Sequence, residues 1–418
     1  MVEFQELTKV AIIGGGASGL FLAHDLSHRR PDILITIFEA SDKLGRKIDI
    51  SGNGRGNLSN IQVNPNNYNH PDLVEPILKS FPVMEFLFYC KKWGLMTMID
   101  EEGRIYPRAE KGKIWRTILE ENIRSLGVKI KLNHPVSEIK KTSDSRFQIG
   151  SDLYDYVVVA TGSSAGPNYR GKVFDNTPLF RSLKVPTTSL YPTLSALGVK
   201  EKIAQLNGVR TKAEVQLWLD EKLTYQTKGE IQFRKDSLSG IAIFECSSLL
   251  TWKYRKNPNL QAKITMDLLP EVSLAELNQE IQQRFLRVLE DESLEDALRG
   301  MFVPELNKYL INCLDKKHMT RLPLLIKKLP FNIDLSYLPD NNQVISGGVD
   351  LKAVNRYTLE SLNDEHLYFI GEALDIDGMC GGYNLHFAWA SAYLVAKELQ
   401  ARIPVCNIEK KAFVRYTS

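Results

Sequence analysis

The sequence lacks the features that mark a membrane-spanning or secreted protein. It has no run of about 18 apolar residues, so we expect no membrane-spanning helix. The opening MVEFQELTKVAIIGGG has two acidic residues before its apolar stretch and no small-residue cleavage site, which favours a strand over a secretory signal. The formal charge is only +3 over 418 residues, which gives no indication of a nucleic-acid partner. We therefore expect a cytoplasmic protein without membrane or nucleic-acid partners and leave its oligomeric state open.

Cysteine is scarce, and its spacing excludes several kinds of site. The five cysteines are Cys90, Cys246, Cys313, Cys380 and Cys406. They form no C-x-x-C pair, which argues against a disulfide framework, a zinc site and a dithiol redox pair. His24 and His28 are one helical turn apart, but no third ligand lies near them in the sequence. We therefore expect no metal and interpret these two histidines as part of a solvated helix face.

What the sequence does contain is an α/β pattern at both ends of the chain. Hydrophobic residues make up 43% and charged residues 25%, an ordinary balance for a globular protein of more than one domain. Val10–Ile13, Ala17–Arg30 and Ile33–Phe38 form the pattern strand, helix, strand. The continuously apolar Tyr156–Ala160 and Leu367–Ile370 are typical of buried parallel strands. This pattern predicts a Rossmann-like domain built from both ends of the chain.

The middle of the chain has a different texture. From about Val185, short segments separated by turn residues predict an antiparallel, barrel-like β domain. The predicted strands are Ala213–Leu219, Leu223–Gln226, Glu230–Phe233 and Ile241–Glu245. Ser273 followed by Glu276 predicts a capping box at the start of a helical cluster. We expect three domains: 1–185 with 345–418, 186–250 with 331–344, and 251–330.

A glycine-rich turn follows the first strand and opens the first helix. Gly14, Gly16 and Gly19 fit G-x-G-x-x-G, with Ala17 and Ser18 between the last two. These glycines allow a tight turn, close approach to a diphosphate, and close packing of helix on strand. Glu39, with Ala40 after it, lies 25 residues beyond Gly14, where a carboxylate binds ribose hydroxyls. The pattern predicts a dinucleotide site, for FAD or for NAD.

Two later strand ends favour FAD. The strand Tyr156–Ala160 runs into Thr161-Gly162, and Leu367–Ile370 runs into Gly371-Glu372. A domain that binds NAD alone rarely needs the last fifty residues of a chain to complete it, whereas these strand ends suit the middle of FAD. No second G-x-G-x-x-G follows a strand, so NAD(P)H is expected at most as a transient electron donor.

Several longer segments carry a family resemblance. They are GRKIDISGNGRGNLSN (45–60), DEEGRIYPRAEKGKIWRTIL (100–119), GEIQFRKDSLSGIAIFECSS (229–248), VISGGVDLKAVNRYTLES (344–361) and GEALDIDGMCGGYNLHFAWASA (371–392). In this order the chain resembles the bacterial FAD-dependent oxidoreductases that include aminoacetone oxidase and a flavin-dependent bile-acid reductase. The resemblance implies non-covalent FAD, a FAD domain from both termini, an inserted β-barrel-like domain and a small helical domain.

The resemblance also implies binding residues, grouped here by the part of FAD they would contact. On the ADP half it implies Gly14, Gly16, Gly19, Glu39, Arg46 and Lys47, with Val136 near the adenine. Around ribityl and isoalloxazine it implies Gly54, Arg55, Asn57, Thr161, Gly162, Glu372, Asp377, Gly381, Gly382, Tyr383 and Asn384. Gly381 and Gly382 would let the backbone approach the flavin ring. Three departures concern the substrate side: Gly56 replaces the family's cysteine, His386 replaces its glutamine, and SSAGPNYRGKVFDN (163–176) replaces a Gly/Ser/Thr-rich stretch.

No acid–base pair or catalytic triad is evident, which a flavoenzyme tolerates because the cofactor carries the electron chemistry. Arg55 could bind a phosphate or substrate carboxylate, or be a solvated loop arginine. His386 could transfer a proton, but a packed core histidine is the preferred interpretation. We expect hydride transfer between a small organic substrate and flavin N5. The alternatives are an NAD(P)H-dependent reductase of an unsaturated or carbonyl substrate and a non-catalytic FAD-binding or sensing protein.

Overall fold

The computed structural model describes residues 7–165, 175–287, 294–314, 316–339 and 342–405. The chain forms two compact units. We call Met1–Leu190 with Gly347–Ser418 the Rossmann unit, and Tyr191–Ser346 the inserted unit. In the described part of the chain, no helix is both long and apolar enough to cross a membrane.

A five-stranded sheet forms the centre of the Rossmann unit. In spatial order its strands are Leu367–Phe369, Tyr156–Val159, Lys9–Ile13, Leu34–Phe38 and Lys129–Lys131. All neighbouring pairs are parallel, as continuous apolar strands covered on both faces predict. The carboxyl ends of parallel strands meet at one edge of a sheet, and the loops that follow them are therefore brought together there.

Helices and two small antiparallel sheets surround this sheet. The helices are Ala17–Arg29, Arg46–Ile50, Pro71–Ser80, Val83–Lys92, Gly112–Ser125, Thr177–Ser182 and Tyr383–Arg402. The small sheets comprise Ser59–Asn60, Arg104–Pro107 and Thr97–Ile99, and Lys140–Lys141, Phe147–Ile149 and Asp152–Tyr154. Short 3-10 turns include Ser51–Gly54 and Gly371–Ala373.

The two ends of the chain pack together inside the Rossmann unit. The first helix, Ala17–Arg29, lies against the C-terminal helix, Tyr383–Arg402, whose Ala390, Ser391 and Ala392 are fully buried. Just past the first helix, Arg30 donates to the carbonyl oxygens of Ile403 (2.6 Å) and Pro404 (2.8 Å). Small side chains allow the close approach of these helices, and the arginine fixes where the C-terminal helix ends.

The inserted unit is built on a six-stranded antiparallel sheet. Its strands, in spatial order, are Leu197–Gly198, Ser237–Ser239, Lys222–Phe233, Arg210–Leu219, Ala262–Asp267 and Leu329–Asn332. A bridge between Val199 and Ile333 joins the two edge strands and closes the sheet, so the barrel-like expectation is confirmed. A separate two-stranded sheet pairs Tyr191–Ser195 with Asn342–Ser346.

The helices of the inserted unit include one that the sequence predicted as a strand. They are Ile241–Tyr254, Leu274–Arg287, Pro304–Asn312 and Leu322–Lys327. The strand predicted for Ile241–Glu245 is wrong, because short apolar runs do not distinguish a strand from a buried helix. Gly240, at φ 106°, turns the chain, and the helix then buries Ala242, Cys246 and Leu250 at helical spacing. The capping box is confirmed, since Ser273 and Glu276 each accept from the other's backbone N–H.

Candidate cofactor site

The glycine turn lies at the carboxyl end of the first strand, and its glycines serve different purposes. A β-carbon on Gly14 would lie 2.4 Å from the Ala160 carbonyl oxygen, and one on Gly19 would lie 2.0 Å from the Gly14 carbonyl oxygen. Both positions therefore need glycine for packing within the protein. A β-carbon on Gly16, by contrast, would meet nothing within 4 Å. The space above Gly16, at the N-terminus of the first helix, is open to a ligand, and Ala17 and Ser18 begin that helix.

Glu39 ends the adjacent strand beside this turn. Its Oε2 accepts from the Gly15 backbone N–H at 2.8 Å, and its Oε1 accepts from the Ser41 N–H at 2.8 Å and hydroxyl at 2.7 Å. Three donors thus fix the carboxylate, and a carboxylate has about four acceptor positions. One position on Oε2 is left for a ligand hydroxyl. Both Glu39 and Ala40 are partly exposed.

Val136 belongs to a segment that runs beside Glu39. The N–H groups of Asn133 and His134 donate to the carbonyl oxygens of Ser41 and Glu39, each at 2.8 Å. Val136 itself is half-buried in irregular backbone. After Val136 the chain forms a short strand at Lys140–Lys141.

A polar cluster joins three strand-end segments. Lys47 Nζ donates to Glu372 Oε2 at 3.0 Å and to the Ser163 carbonyl oxygen at 3.0 Å. The Ser163 hydroxyl donates to the same Glu372 oxygen at 3.0 Å. Arg46, the residue before Lys47 in the same helix, has its Nη1 3.7 Å from Asp42 Oδ1. Ser163 was not among the predicted site residues; its position directly after Thr161-Gly162 was the signal that could have identified it.

The Thr161-Gly162 turn contains a buried polar atom without a partner in the described part of the chain. Thr161 Oγ1 is buried and has no hydrogen-bond partner among the described residues. Gly162 has φ 67°, and its carbonyl oxygen accepts from Asn176 Nδ2 at 2.9 Å. A buried hydroxyl without a partner is costly, which suits a group that a ligand completes. Residues 166–174, most of the departing stretch noted in the sequence, lie outside the described residues.

The loop before Asn57 holds a rare backbone shape. Gly52, Asn53, Gly54 and Gly56 all have positive φ, from 54° to 84°. A β-carbon on Gly56 would lie 2.5 Å from the Gly112 Cα. This backbone contact leaves no room for a cysteine at position 56 unless Gly112 moves, so the glycine found there fits this loop.

Arg55 is held at the side of that loop. Its Nη2 donates to Glu110 Oε1 at 2.7 Å, and its guanidinium stacks 4.3 Å from the centre of the Tyr106 ring. The Glu110 hydrogen bond raises the pKa of Arg55, so the side chain is a fixed cation. Its side chain remains 40% exposed, which leaves it accessible to an anionic group.

Asn57 connects this loop to the start of the C-terminal helix. With the side-chain amide oriented to satisfy both neighbours, it donates to the Ser59 carbonyl oxygen at 3.0 Å and accepts from the Gly382 N–H at 3.1 Å. Gly381 and Gly382 have φ 126° and 99°. A β-carbon on Gly382 would lie 2.5 Å from the Ser59 carbonyl oxygen. The need for glycine here comes from packing within the protein, a reason that the sequence did not supply.

The neighbouring predicted residues mainly shape the segment itself. Asn384 donates to the Gly378 carbonyl oxygen at 2.9 Å and accepts from its N–H at 2.8 Å, so its amide closes the loop 378–384. The Tyr383 carbonyl oxygen accepts from the Tyr68 hydroxyl at 2.9 Å. Asp377 is fully buried, and its backbone pairs with Asn69.

Of the three histidines weighed from the sequence, His24 and His386 are buried and His28 is exposed. His386 is 0% exposed, with its ring nitrogens next to Ser59 Oγ (2.8 Å) and the Phe81 carbonyl oxygen (3.2 Å). The solvated face predicted for His24 is wrong, because His24 is 0% exposed and its ring centre lies 3.8 Å from that of Trp93. Within the described ranges, no three His, Cys, Asp or Glu side chains group as a metal site would require.

Four of the predicted residues therefore follow strands of the parallel sheet, at one edge of it. Each comes after a different strand: Gly14 after Lys9–Ile13, Glu39 after Leu34–Phe38, Thr161 after Tyr156–Val159 and Gly371 after Leu367–Phe369. Three features fit an adenine dinucleotide: the open space over Gly16, the acceptor on Glu39 and the partnerless Thr161 hydroxyl. FAD spans such an edge, and the residues present fit it.

Comparisons with known proteins agree with this geometry. The family model for the HI0933-like protein Rossmann domain matches residues 8–398. The chain is 30% identical to the 3-dehydro-bile acid delta(4,6)-reductase of Clostridium scindens, over 95% of this chain and 100% of that protein. It is 26% identical to the ribosomal RNA dihydrouridine synthases of Haemophilus influenzae, over 92% of this chain and 96% of that protein, and of Escherichia coli, over 93% and 97%. The family predicted from the motifs is confirmed: the chain belongs to the HI0933-like Rossmann family.

Proposed function

We propose that this FAD-dependent oxidoreductase transfers a hydride from flavin N5 to a small organic substrate whose carbon–carbon double bond is conjugated to a carbonyl group. The observation that supports this most is the 30% identity to a protein named as a delta(4,6)-reductase of a 3-dehydro bile acid. In such a substrate the carbonyl delocalises the negative charge that forms when hydride adds to the far carbon. The reaction therefore needs a site that stabilises negative charge.

The chain supplies positive electrostatic potential where the flavin end of the site would lie. The 20-residue C-terminal helix begins directly after Gly382 and has no acidic residue in its first turn. Its N-terminus therefore carries an uncompensated partial positive charge, which favours a negatively charged group nearby. In this proposal Asn57 and Gly382 border the ring, and the helix end would stabilise the negative charge that the reduced ring carries and that passes to the substrate with the hydride.

The other predicted residues would hold the rest of the cofactor. Gly16 and the N-terminus of the first helix would receive the diphosphate, and Glu39 the adenosine ribose. Thr161 and Glu372 would take the ribityl hydroxyls, with Lys47 fixing the Glu372 carboxylate. Bound FAD would supply the hydride at N5, and NAD(P)H, docking transiently, would replenish it.

The electron path tests this function. The purified holoprotein is mixed anaerobically with NADH or NADPH, and the absorbance of oxidised flavin is followed. We expect one of the two to bleach the flavin, and a steroid with a 4-ene-3-one to restore the colour. Rapid reoxidation in air, with peroxide formed and no response to the unsaturated ketone, would instead indicate an oxidase. A flavin that only dithionite reduces would support a non-catalytic FAD protein.

A second substrate class is a uracil base in RNA. Two relatives that match over more than nine-tenths of this chain are named ribosomal RNA dihydrouridine synthases. The uracil double bond is also conjugated to a carbonyl, so the same hydride transfer would serve both substrates. The expectation of no nucleic-acid partner stays a prediction. Ribosomal RNA incubated with the reduced holoprotein and then analysed for dihydrouridine separates the two classes, because only the second predicts the modified base.

A further inference from the structure

Three consecutive residues of the loop before the first small sheet are each bonded to the C-terminal helix. Asn57 accepts from the Gly382 N–H, the Leu58 carbonyl oxygen accepts from Trp389 Nε1 at 2.9 Å, and Ser59 Oγ lies 2.8 Å from His386 Nδ1. Gly382, His386 and Trp389 are spaced by four and three residues, so they occupy one face of the helix. We call Asn57–Ser59 the latch segment.

The His386 ring is in a single hydrogen-bonding state. The Phe81 carbonyl oxygen, 3.2 Å from Nε2, can only accept, so Nε2 carries the proton. Nδ1 then has a lone pair and accepts from the Ser59 hydroxyl. Burial lowers the pKa of His386 to about 4, and the Phe81 hydrogen bond only partly opposes this shift. The ring is therefore neutral near neutral pH, and both of its nitrogens are used inside the protein.

These contacts leave Ser59 little freedom to move. The imidazole bonds both Ser59 Oγ and the Phe81 carbonyl oxygen, and His386 is 0% exposed. The Ser59 carbonyl oxygen, one peptide away, limits the space at Gly382 to that of a hydrogen atom. A movement of Ser59 would therefore move both Asn57 and the start of the helix.

We infer that His386 is a positioning residue that holds the latch segment against the C-terminal helix and so fixes Asn57 and Gly382 on the flavin side of the site. This inference rests on the proposed FAD site. It assigns His386 no proton transfer, because the ring reaches neither solvent nor an open cleft. The chemistry required of position 386 is one acceptor and one donor at fixed separation, which an amide also provides.

The experiment compares variants of the full chain at position 386. His386→Gln keeps one acceptor and one donor, whereas His386→Leu removes both and leaves Ser59 and the Phe81 carbonyl oxygen unsatisfied. We expect the FAD dissociation constant to rise about tenfold or more in His386→Leu, with a lower flavin midpoint potential, and to stay within about threefold in His386→Gln. Ser59→Ala, which removes one of the two bonds, is the milder variant should His386→Leu fail to fold.

His24→Leu is the matched control. His24 is as buried as His386, but neither ring nitrogen has a hydrogen-bond partner among the described residues, and the helix that carries it is not bonded to the latch segment through that ring. We expect its FAD affinity and potential to equal those of the parent. In the apoprotein, the ¹⁵N spectrum of His386 should show the Nε2–H tautomer from pH 6 to pH 8, since its pKa is about 4.

The outcomes separate the two proposals. If the parent protein binds no FAD, the proposed function fails, whatever the variants do. If the parent binds FAD and His386→Leu and Ser59→Ala match it in affinity and potential, the positioning role is wrong. An Nδ1–H tautomer, or a ring that titrates near pH 6.5, would also overturn it. A loss of affinity in His386→Gln as large as in His386→Leu would mean that the ring itself, not its donor and acceptor, is required.

Discussion

Gly16 and Gly382 each precede a helix of the same site, and the structure gives opposite reasons for them. The space above Gly16 contains no protein atom within 4 Å of a β-carbon, whereas a β-carbon on Gly382 would lie 2.5 Å from the Ser59 carbonyl oxygen. Gly16 has ordinary extended backbone (φ −78°), but Gly382 is in the left-handed region (φ 99°). The first glycine leaves room for a ligand, and the second lets two parts of the protein meet. A glycine in a motif therefore does not by itself indicate contact with a ligand.

The largest expected effect is that of Gly382→Ala. The substitution adds left-handed strain and a backbone collision, each costing about 1–3 kcal/mol. We expect the free energy of unfolding to fall by roughly 3 kcal/mol or more, together with loss of FAD retention. Chemical denaturation of the apoprotein measures the first and chromatography of released pigment the second. Parent-like stability in the apoprotein would show that the latch segment is not packed on this helix as described.

The matched substitution, Gly16→Ala, should separate binding from stability. Its backbone suits alanine and its β-carbon enters open space, so the apoprotein should be as stable as the parent or about 0.4–1 kcal/mol more stable. FAD affinity should fall by roughly tenfold or more, because the β-carbon would occupy the space proposed for the diphosphate. Titration of the apoprotein with FAD tests this. Unchanged affinity would place the diphosphate elsewhere.

The same contrast explains which features of the fold and the site could be predicted from the sequence. The parallel sheet, the glycine turn and Glu39 follow from contiguous residues with regular spacing, and the sequence therefore predicted the fold class and the family. Ser163, the latch at Ser59 and the buried state of His24 depend on residues brought together from distant parts of the chain. Ile241–Glu245 was assigned the wrong element because five residues do not carry enough periodicity to show the 14-residue helix they begin.

Acid stability compares the two buried histidines. Burial is the main cause that lowers the pKa of His24 to about 3, with His28 and Lys92 adding to it, and burial lowers that of His386 to about 4, both from 6.5. In the unfolded chain both bind protons near pH 6.5, so stability should fall as the pH drops from 6.5 toward 4. At pH 5, which is 1.5 units below 6.5, each histidine should lower the free energy of unfolding by about 2 kcal/mol relative to neutral pH.

Denaturation at a series of pH values measures this loss. In His24→Leu the slope of stability against pH between 6.5 and 4 should decrease by the contribution of one proton, because one histidine fewer binds a proton on unfolding. An unchanged slope would mean that His24 is protonated in the folded protein, and hence that its burial is relieved in solution.

The smallest expected effect is that of a substitution at Lys47. This residue lies in the helix Arg46–Ile50, and its partner Glu372 follows the last strand of the parallel sheet. Its side chain is 41% exposed, and ion pairs at such positions contribute about 0–1 kcal/mol. Lys47→Gln should therefore leave the free energy of unfolding within about 1 kcal/mol of the parent. Ser163 still donates to Glu372, so the carboxylate keeps one partner.

Lys43→Gln is the matched control, because Lys43 is also 41% exposed and pairs with an acidic side chain, Asp49, in the same region. If Lys47 acts on the cofactor, FAD affinity should fall by a few-fold in Lys47→Gln and not in Lys43→Gln. Equal affinities in both variants would mean that the Lys47–Glu372 pair serves only to join the two strand ends.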